Sequence, residues 1–337
     1  MSAVSSRTFW RSLTQRLAPL RLAPFQSVLL RTASRPDVVE CYRAILGREA
    51  ESAEVVDGHL FGRPLLKDTI AEFARSSEIR FRFLTQPNYL AKSLDFPQRV
   101  LAHFTHYNFL FQALTAPAFQ SLITSKSTLY ELRNENKIYR VTASAHNRYE
   151  EGELLLRMNI GSIPIYCLGV TIVPGEVLSM AQSHVLLISR VQGARGAYGD
   201  IHQAARDFGD IHPSAVLLAC VRGLATAIGV EVMAGVAAVN QPLFGAAPTE
   251  TFMRAYDEFF AAAGAERCGD FFIFESKPKR RSPALASRPH ARRAERKRRV
   301  KAEISAMVAL EVSNWMKPPA APDVTVLYPP PGRKRVA

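Results

Sequence analysis

The residues with the clearest chemical potential lie in a glycine-punctuated loop. A strand-like run, HVLLISRVQG from His184, leads into this loop, and an apolar helix and a second strand-like run follow, up to Asn240. A strand, a glycine loop and a helix in this order present backbone N–H groups to a ligand, above all to an anion. The alternative is a tight turn whose glycines serve only the backbone. The loop predicts a ligand site with these candidates: Arg190, Gln192, Gly193, Arg195 and Gly196.

Acid–base candidates lie outside the loop. His103 and His106 are three residues apart on an apolar helical segment, a spacing that places two imidazoles on neighbouring turns. A metal site needs a third and usually a fourth ligand, which the nearby sequence does not provide, so we expect no metal. His106 and Tyr256 are the candidates for acid–base catalysis. Packing is the alternative role of Tyr256.

Cysteine usage and hydropathy limit the class of protein. The four cysteines are far apart and form no C-x-x-C pair, so neither a disulfide framework nor a zinc site is predicted. No apolar run reaches the roughly 18 residues that a transmembrane helix requires. These features predict a cytoplasmic protein that is not an integral membrane protein.

The net charge of +13 is concentrated at the two ends of the chain. Residues 1–36 carry six arginines and no acid, and residues 277–301 carry twelve Lys or Arg against Glu295. The body between them is mildly acidic. Because a duplex-binding domain normally carries its basic residues on the folded face, sequence-specific DNA recognition is not expected. The basic ends instead favour an anionic membrane surface or an acidic protein.

The apolar spacing predicts an α+β domain. Five strand signals separated by turn residues suit antiparallel hairpins, and a helix, strand, helix and strand follow. We expect a mixed, mostly antiparallel sheet flanked by helices. The predicted strands are 128–132, 137–145, 153–159, 163–173, 185–191, 230–239 and 270–275, with helices over 96–114, 213–228 and 249–263.

The composition divides the chain into five segments. A basic leader, amphipathic or disordered, precedes a small helical module, the α+β domain, a basic amphipathic helix with an apolar stripe, and a Pro-rich disordered tail. The boundaries are 1–36, 37–86, 87–276, 277–316 and 317–337.

The second segment resembles a small bacterial helical module of unknown function. That module has an opening Tyr-Arg-x-x-Leu-Gly-Arg, matched here from Tyr42 to Arg48, and a closing Phe-x-x-Ser-x-Glu-hydrophobic-Arg, matched from Phe73 to Arg80. We interpret the segment as a helical hairpin in which Arg48 and Glu78 are structural, and a binding site is the alternative.

Motifs spread over residues 88–305 resemble the VirK/YbjX family of bacterial virulence and envelope proteins. They are VQGARG, FGDIHPSAVLLAC, VMAGVAAVN, AYDEFFAAAG and the late Arg/Lys tract, which lacks the tyrosines usual in that family. His106 and Tyr107 match the family's His-Tyr pair, and Asn240 ends the third motif. The resemblance implies a role in envelope integrity, antimicrobial-peptide resistance or virulence, at the inner face of the cell membrane, without a defined reaction.

The order of elements also resembles acetyltransferase-like (GNAT) folds. Their acyl-CoA loop reads Gln/Arg-x-x-Gly-x-Gly/Ala; Arg190 and Gly193 match its first and fourth positions, and Arg195 departs from its sixth. The resemblance implies an acyl-CoA cofactor at Arg190–Gly196. Two functions therefore remain open: a peripheral envelope accessory protein, or an acyl-CoA-dependent transferase with Tyr256 or His106 as acid or base.

Overall fold

In the computed structural model, the structure describes residues 89–134, 137–145, 151–246, 248–278 and 288–318. The predicted leader, the helical module with Tyr42 and Arg48, and nearly all of the Pro-rich tail lie outside these residues. The α+β domain and the basic helix are the predicted segments that the structure covers.

The described chain alternates between hairpins and helices. Its strands are β1 Ser127–Asn134, β2 Lys137–Ser144, β3 Leu154–Ile160, β4 Ile163–Pro174, β5 His184–Gly193, β6 Val232–Val236, β7 Glu266–Cys268 and β8 Phe271–Glu275. Its helices are α1 Phe96–Ala113, α2 Ala116–Thr124, α3 Tyr198–Asp207, α4 Pro213–Ala227, α5 Thr249–Met253, α6 Phe259–Ala262 and α7 Arg288–Ser313. A π-helical turn, Arg254–Glu258, joins α5 to α6.

The eight strands form one sheet in the order β1-β2-β3-β4-β5-β6-β8-β7. β5 and β6 are parallel, and every other neighbouring pair is antiparallel. The crossover from β5 to β6 runs through α3 and α4, as a parallel pair requires. The predicted α+β class and mostly antiparallel sheet are confirmed.

The parallel pair is short, and its strands part. Pairing runs from Leu186 opposite Met233 to Ile188 opposite Gly235. On the other side of β5 the register with β4 shifts at the next residue, which makes Ser189 a β-bulge. β5 continues beyond the bulge alongside β4 without β6. We call the region past Ile188 and Gly235 the β5–β6 opening.

Helices cover both faces of the sheet. The larger core lies between the sheet and α4, whose residues are mostly buried and include Cys220. α7 packs on α4 through Ile304, Val308 and Val312, the apolar stripe expected from the sequence. The second core is smaller and lies beneath residues 89–102. This arrangement leaves the basic first half of α7 at the surface.

Some elements differ from the prediction. The sequence did not predict α3, a mostly polar helix in which Ile201 and Ala204 are the buried residues. Too few apolar positions remain in it for a periodic signal. The apolar run 230–239 is a strand only over Val232–Val236 and then turns into a 3-10 helix. In the described part of the chain no helix is both long and apolar enough to cross a bilayer.

Candidate functional site

The glycine loop joins the end of β5 directly to the start of α3. Two hydrogen bonds fix it, from Ala194 N–H to the Ile165 carbonyl (2.9 Å) and from Ala197 N–H to the Ala194 carbonyl (3.2 Å). Gly196 has a φ of +81°, a conformation that glycine adopts without strain. The N–H groups of Arg195 and Gly196 make no bond to a backbone acceptor in the described chain. They are available to a ligand.

Space around the loop is open on the solvent side. A Cβ added at Gly196 or Gly199 would meet nothing within 4 Å, whereas one at Gly193 would press on Ile201 and the Tyr166 ring. Gly199 lies in the first turn of α3, where backbone N–H groups have no helical acceptor. The geometry therefore allows an anion to approach the N-terminus of α3.

Arg190 and Gln192 do not contribute side chains to this loop. Arg190 Nε forms an ion pair with Glu151 Oε2 at 3.2 Å, and Arg190 Nη2 donates to Gln192 Oε1. Burial raises the pKa of Glu151, and the charge of Arg190 opposes that shift. Of the predicted ligand-binding residues, Gly193, Arg195 and Gly196 shape the loop, while Arg190 and Gln192 belong to this polar group, in which Gln192 is exposed.

Tyr256 and Phe260 fill the β5–β6 opening. Both are buried, and the Tyr256 hydroxyl lies near the backbone of Val191. Burial raises the pKa of Tyr256, with a further contribution from Glu151. The Phe260 ring packs on Gly235, where a Cβ would overlap it. The predicted acid–base residue Tyr256 therefore lies at the end of β5, beside the glycine loop.

Side chains also satisfy the backbone where β6 leaves the sheet. Asp257 Oδ1 accepts a bond from Ala238 N–H at 2.6 Å, and its Oδ2 pairs with Arg267 Nη1 at 2.9 Å. Gln241 Nε2 donates to the Val236 carbonyl at 2.9 Å. These bonds occupy backbone groups at the end of β6 that would otherwise be free to pair with β5.

His106 and Tyr107 belong to a buried polar cluster beside β4. His106 Nδ1 accepts a bond from Ile172 N–H at 3.0 Å, and the Tyr107 hydroxyl donates to Glu153 Oε2 at 2.8 Å. His103 Nδ1 lies 2.8 Å from the other oxygen of Glu153. The cluster anchors α1 to the sheet. His106 contacts β4 three residues, or roughly 10 Å, from Gly169, the partner of Arg190.

Asn240 joins the start of the described chain to the end of β6. Its Oδ1 accepts from Ser93 N–H at 2.8 Å, its Nδ2 donates to Ser93 Oγ at 2.9 Å, and its carbonyl accepts from Lys92 N–H. The structure gives this candidate a positioning role and does not bring it to the glycine loop.

A second polar group lies beneath the glycine loop. The Tyr166 ring packs against Gly193 and edge-on against His212, and burial raises the pKa of Tyr166 to about 12. His212 caps α4, with its Nδ1 2.8 Å from Ser214 Oγ and 3.3 Å from Ser214 N. These residues support the loop from below.

The sequence identified several site residues but could not identify the groups that they contact. The acceptor role of Glu151 and Glu153 and the direction in which the Val191 N–H faces depend on strand register, which a single sequence does not reveal. The proximity of Tyr256 to Arg190 depends on it too. In the described ranges no cluster of three His, Cys, Asp or Glu residues is placed to hold a metal.

The comparisons with known proteins place the chain in a family. No curated protein and no solved structure matches it. The family model described as "Protein of unknown function (DUF535)", which is the VirK/YbjX family, matches residues 67–302, more than two thirds of the chain. The match covers the glycine loop, the β5–β6 opening and the first half of α7. The chain therefore belongs to the DUF535 family.

Proposed function

We propose that this protein is an acyl-CoA-dependent acyltransferase. The supporting observation is the way β5 ends: the one parallel strand pair among the described strands parts after Ile188, and β5 runs straight into a glycine loop and the N-terminus of α3. A GNAT-like fold has this element order and binds its cofactor at this position. The proposal thus rests on the β5–β6 opening and the loop together.

The loop fits the pyrophosphate of such a cofactor. The N–H groups of Arg195 and Gly196 lie close in sequence to those of the first turn of α3, the space beside Gly196 and Gly199 is open, and the exposed Arg195 side chain adds positive charge. Asp200 in the first turn of α3 opposes an anion. The loop and the helix terminus, rather than Arg190, would therefore hold the phosphates.

Val191 and Tyr256 are the groups suited to the chemistry. A bound acyl-CoA would supply an activated thioester, whose carbonyl oxygen needs a fixed N–H donor. The Val191 N–H is such a donor, and at present the Tyr256 hydroxyl lies against it. Because burial raises the pKa of Tyr256, this residue keeps its proton at neutral pH and can act as an acid, not as a base. His106 is engaged elsewhere, so we assign it no part.

Titration calorimetry of the full-length protein with acetyl-CoA and a long-chain acyl-CoA tests this function. Gly199→Trp places a large side chain over the open region, and Gly199→Ala is the matched control because a Cβ there meets nothing. We expect the parent and Gly199→Ala to bind and Gly199→Trp to lose at least about tenfold in affinity, or about 1.4 kcal/mol. Equal affinities for all three proteins, or no binding by the parent, would refute the proposal.

We further propose that the acceptor is an envelope component and that the protein acts at the inner face of the membrane. The VirK/YbjX resemblance supports the envelope role. One observation on α7 supports peripheral attachment: Arg292, Arg299, Met307 and Leu310 lie on the side of the helix turned away from α4, and all four are exposed. Basic residues beside exposed apolar side chains favour an anionic bilayer surface.

Co-sedimentation with vesicles tests the attachment. Met307→Asp combined with Leu310→Asp removes the apolar contact without touching the buried stripe, and Glu303→Gln serves as a control on the same side of α7. We expect the double variant to lose most binding to vesicles that contain phosphatidylserine. If it sediments like the parent, α7 is not the attachment surface, and an acidic protein becomes the better partner.

A further inference from the structure

Arg222 is a lone arginine in the apolar helix α4. Its Nη2 donates to the Ala263 carbonyl at 3.1 Å, and its guanidinium lies over the Phe274 ring, 5.8 Å from the centroid. Its Nε is buried and has no hydrogen-bond partner among the described residues. Burial is the cause that lowers the pKa of Arg222, and no carboxylate contributes. The guanidinium is therefore held in a partly desolvated place without a counter-charge.

Lys301 of α7 lies in the same groove. Burial lowers its pKa first, and the charges of Arg222, Arg298 and Lys297 lower it further. No acid offsets these three cations at Lys301. Two half-buried cations thus stand close to each other, an arrangement that costs free energy unless an anion accompanies them.

The packing of α4 on α7 enforces this proximity. Gly223 lies so close to α7 that a Cβ would overlap the Ser305 carbonyl. The helices therefore approach each other at the residue next to Arg222, and the stripe Ile304, Val308 and Val312 holds them there. The backbones that carry Arg222 and Lys301 are therefore held near each other.

The remaining polar groups of the groove suit an oxyanion. Thr226, one turn after Arg222, and Ser305, one turn after Lys301, are among the residues that line the groove. Four acids also line the groove, namely Glu258, Glu266, Glu275 and Glu295, and Glu295 pairs with Arg298 at 3.0 Å. None of the four contributes to the pKa of Arg222 or Lys301.

We propose that Arg222, Lys301 and Arg298 form a binding site for a phosphate group, in the groove between α4 and α7. Arg222 and Lys301 would each supply charge-assisted hydrogen bonds to phosphate oxygens. The site lies eight residues along α4 from Ser214, about 12 Å from the supports of the glycine loop. It is independent of the acyl-CoA proposal and would survive the failure of that proposal.

Calorimetric titration of the full-length protein with inorganic phosphate, at constant ionic strength set with chloride, tests the site. The variants are Arg222→Gln and Lys301→Gln, and the control is Arg293→Gln, an exposed arginine of α7 that pairs with Asp210 outside the groove. We expect the first two to weaken phosphate binding by about tenfold or more and the control by less than about twofold. No saturable binding by the parent to phosphate or to phosphatidic acid vesicles, or equal losses in all three variants, would overturn the proposal.

Thermal unfolding in two buffers gives a second test, because a general folding defect would lower the melting temperature of a variant in both of them. In chloride, Lys301→Gln should melt above the parent because it removes an uncompensated charge, and in saturating phosphate it should melt below it. An unchanged order of melting temperatures in the two buffers counts against the site.

Vesicles separate the two sources of a phosphate group. Phosphatidylcholine vesicles with phosphatidic acid, a phosphate monoester, are compared with vesicles of equal charge that contain phosphatidylserine. Preference for phosphatidic acid that Arg222→Gln abolishes identifies a lipid headgroup. Binding of free phosphate without that preference identifies a soluble phosphorylated ligand.

Discussion

Single residues decide what occupies the β5–β6 opening. Gly235 has no side chain, so the Phe260 ring rests on the backbone of β6, and Tyr256 covers the N–H of Val191. The sequence identified Tyr256 and the loop glycines as candidates from residue type and order. It could not show which backbone N–H Tyr256 would meet, because that contact joins elements more than sixty residues apart and depends on the bulge at Ser189.

Gly235→Ala should destabilise the protein. Its Cβ would overlap the fully buried Phe260 ring, which has no room to retreat, and overpacking of a core typically costs about 1–3 kcal/mol. Urea unfolding measures the loss. Gly199→Ala is the control, since its Cβ meets nothing, and it should change the free energy of unfolding by less than about 0.5 kcal/mol. Equal stability of Gly235→Ala and the parent would mean that Phe260 does not fill the opening.

His212 should make stability depend on pH. Burial, and then the charge of His202, lower its pKa from the ordinary 6.5 in the folded protein. The unfolded chain then binds more protons than the folded one just below pH 6.5, so stability is present above that pH and falls as the pH falls. His184, whose pKa burial also lowers, contributes in the same direction.

His212→Asn should reduce this dependence without removing the helix cap, because an Asn side chain can accept the bond from Ser214 N–H. Urea unfolding at about pH 7.5 and about pH 5.5 gives the comparison. The difference in stability between the two pH values should be smaller in the variant than in the parent. A difference of the same size would show that His212 does not titrate as described.

At the scale of elements, the strands and helices that were predicted correctly are those rich in apolar residues. The hairpin strands and α4 were foreseen because their apolar positions recur with the period of a strand or a helix. The short helix α3 was not predicted, although it begins directly after the glycine loop and forms part of the proposed site. Its residues are mostly polar, so contacts with the core, and not its own pattern, decide its conformation. The same holds for β7, three exposed residues that pair only because β8 lies beside them.

The contact between α7 and α4 should contribute substantially to stability. Val308 is fully buried at the centre of the stripe, whereas the neighbouring Met307 is 55% exposed. Val308→Ala removes buried methyl groups and should cost about 2 kcal/mol, and Met307→Ala should stay within about 0.5 kcal/mol. Chemical unfolding of both variants measures the two changes in the free energy of unfolding. Equal effects would mean that α7 is not held on α4 in solution.

The whole molecule separates its charge from its core. The basic ends of the chain flank an acidic body. One side of α7 packs on α4, and the arginines of α7 lie at the surface or in the groove that contains Arg222. The DUF535 match spans the sheet, the loop and the start of α7, which fits a single working unit. The fold class followed from the sequence, but the two candidate ligand sites required the structure, because each is assembled from groups distant along the chain.

A crystal structure of the full-length protein with CoA would test acyl transfer at the β5–β6 opening most directly. We expect the pyrophosphate within hydrogen-bond distance of the Arg195 and Gly196 N–H groups, and the Tyr256 hydroxyl moved away from the N–H of Val191. CoA bound elsewhere, or bound at the loop with Tyr256 still against Val191, would rule out acyl transfer at this opening.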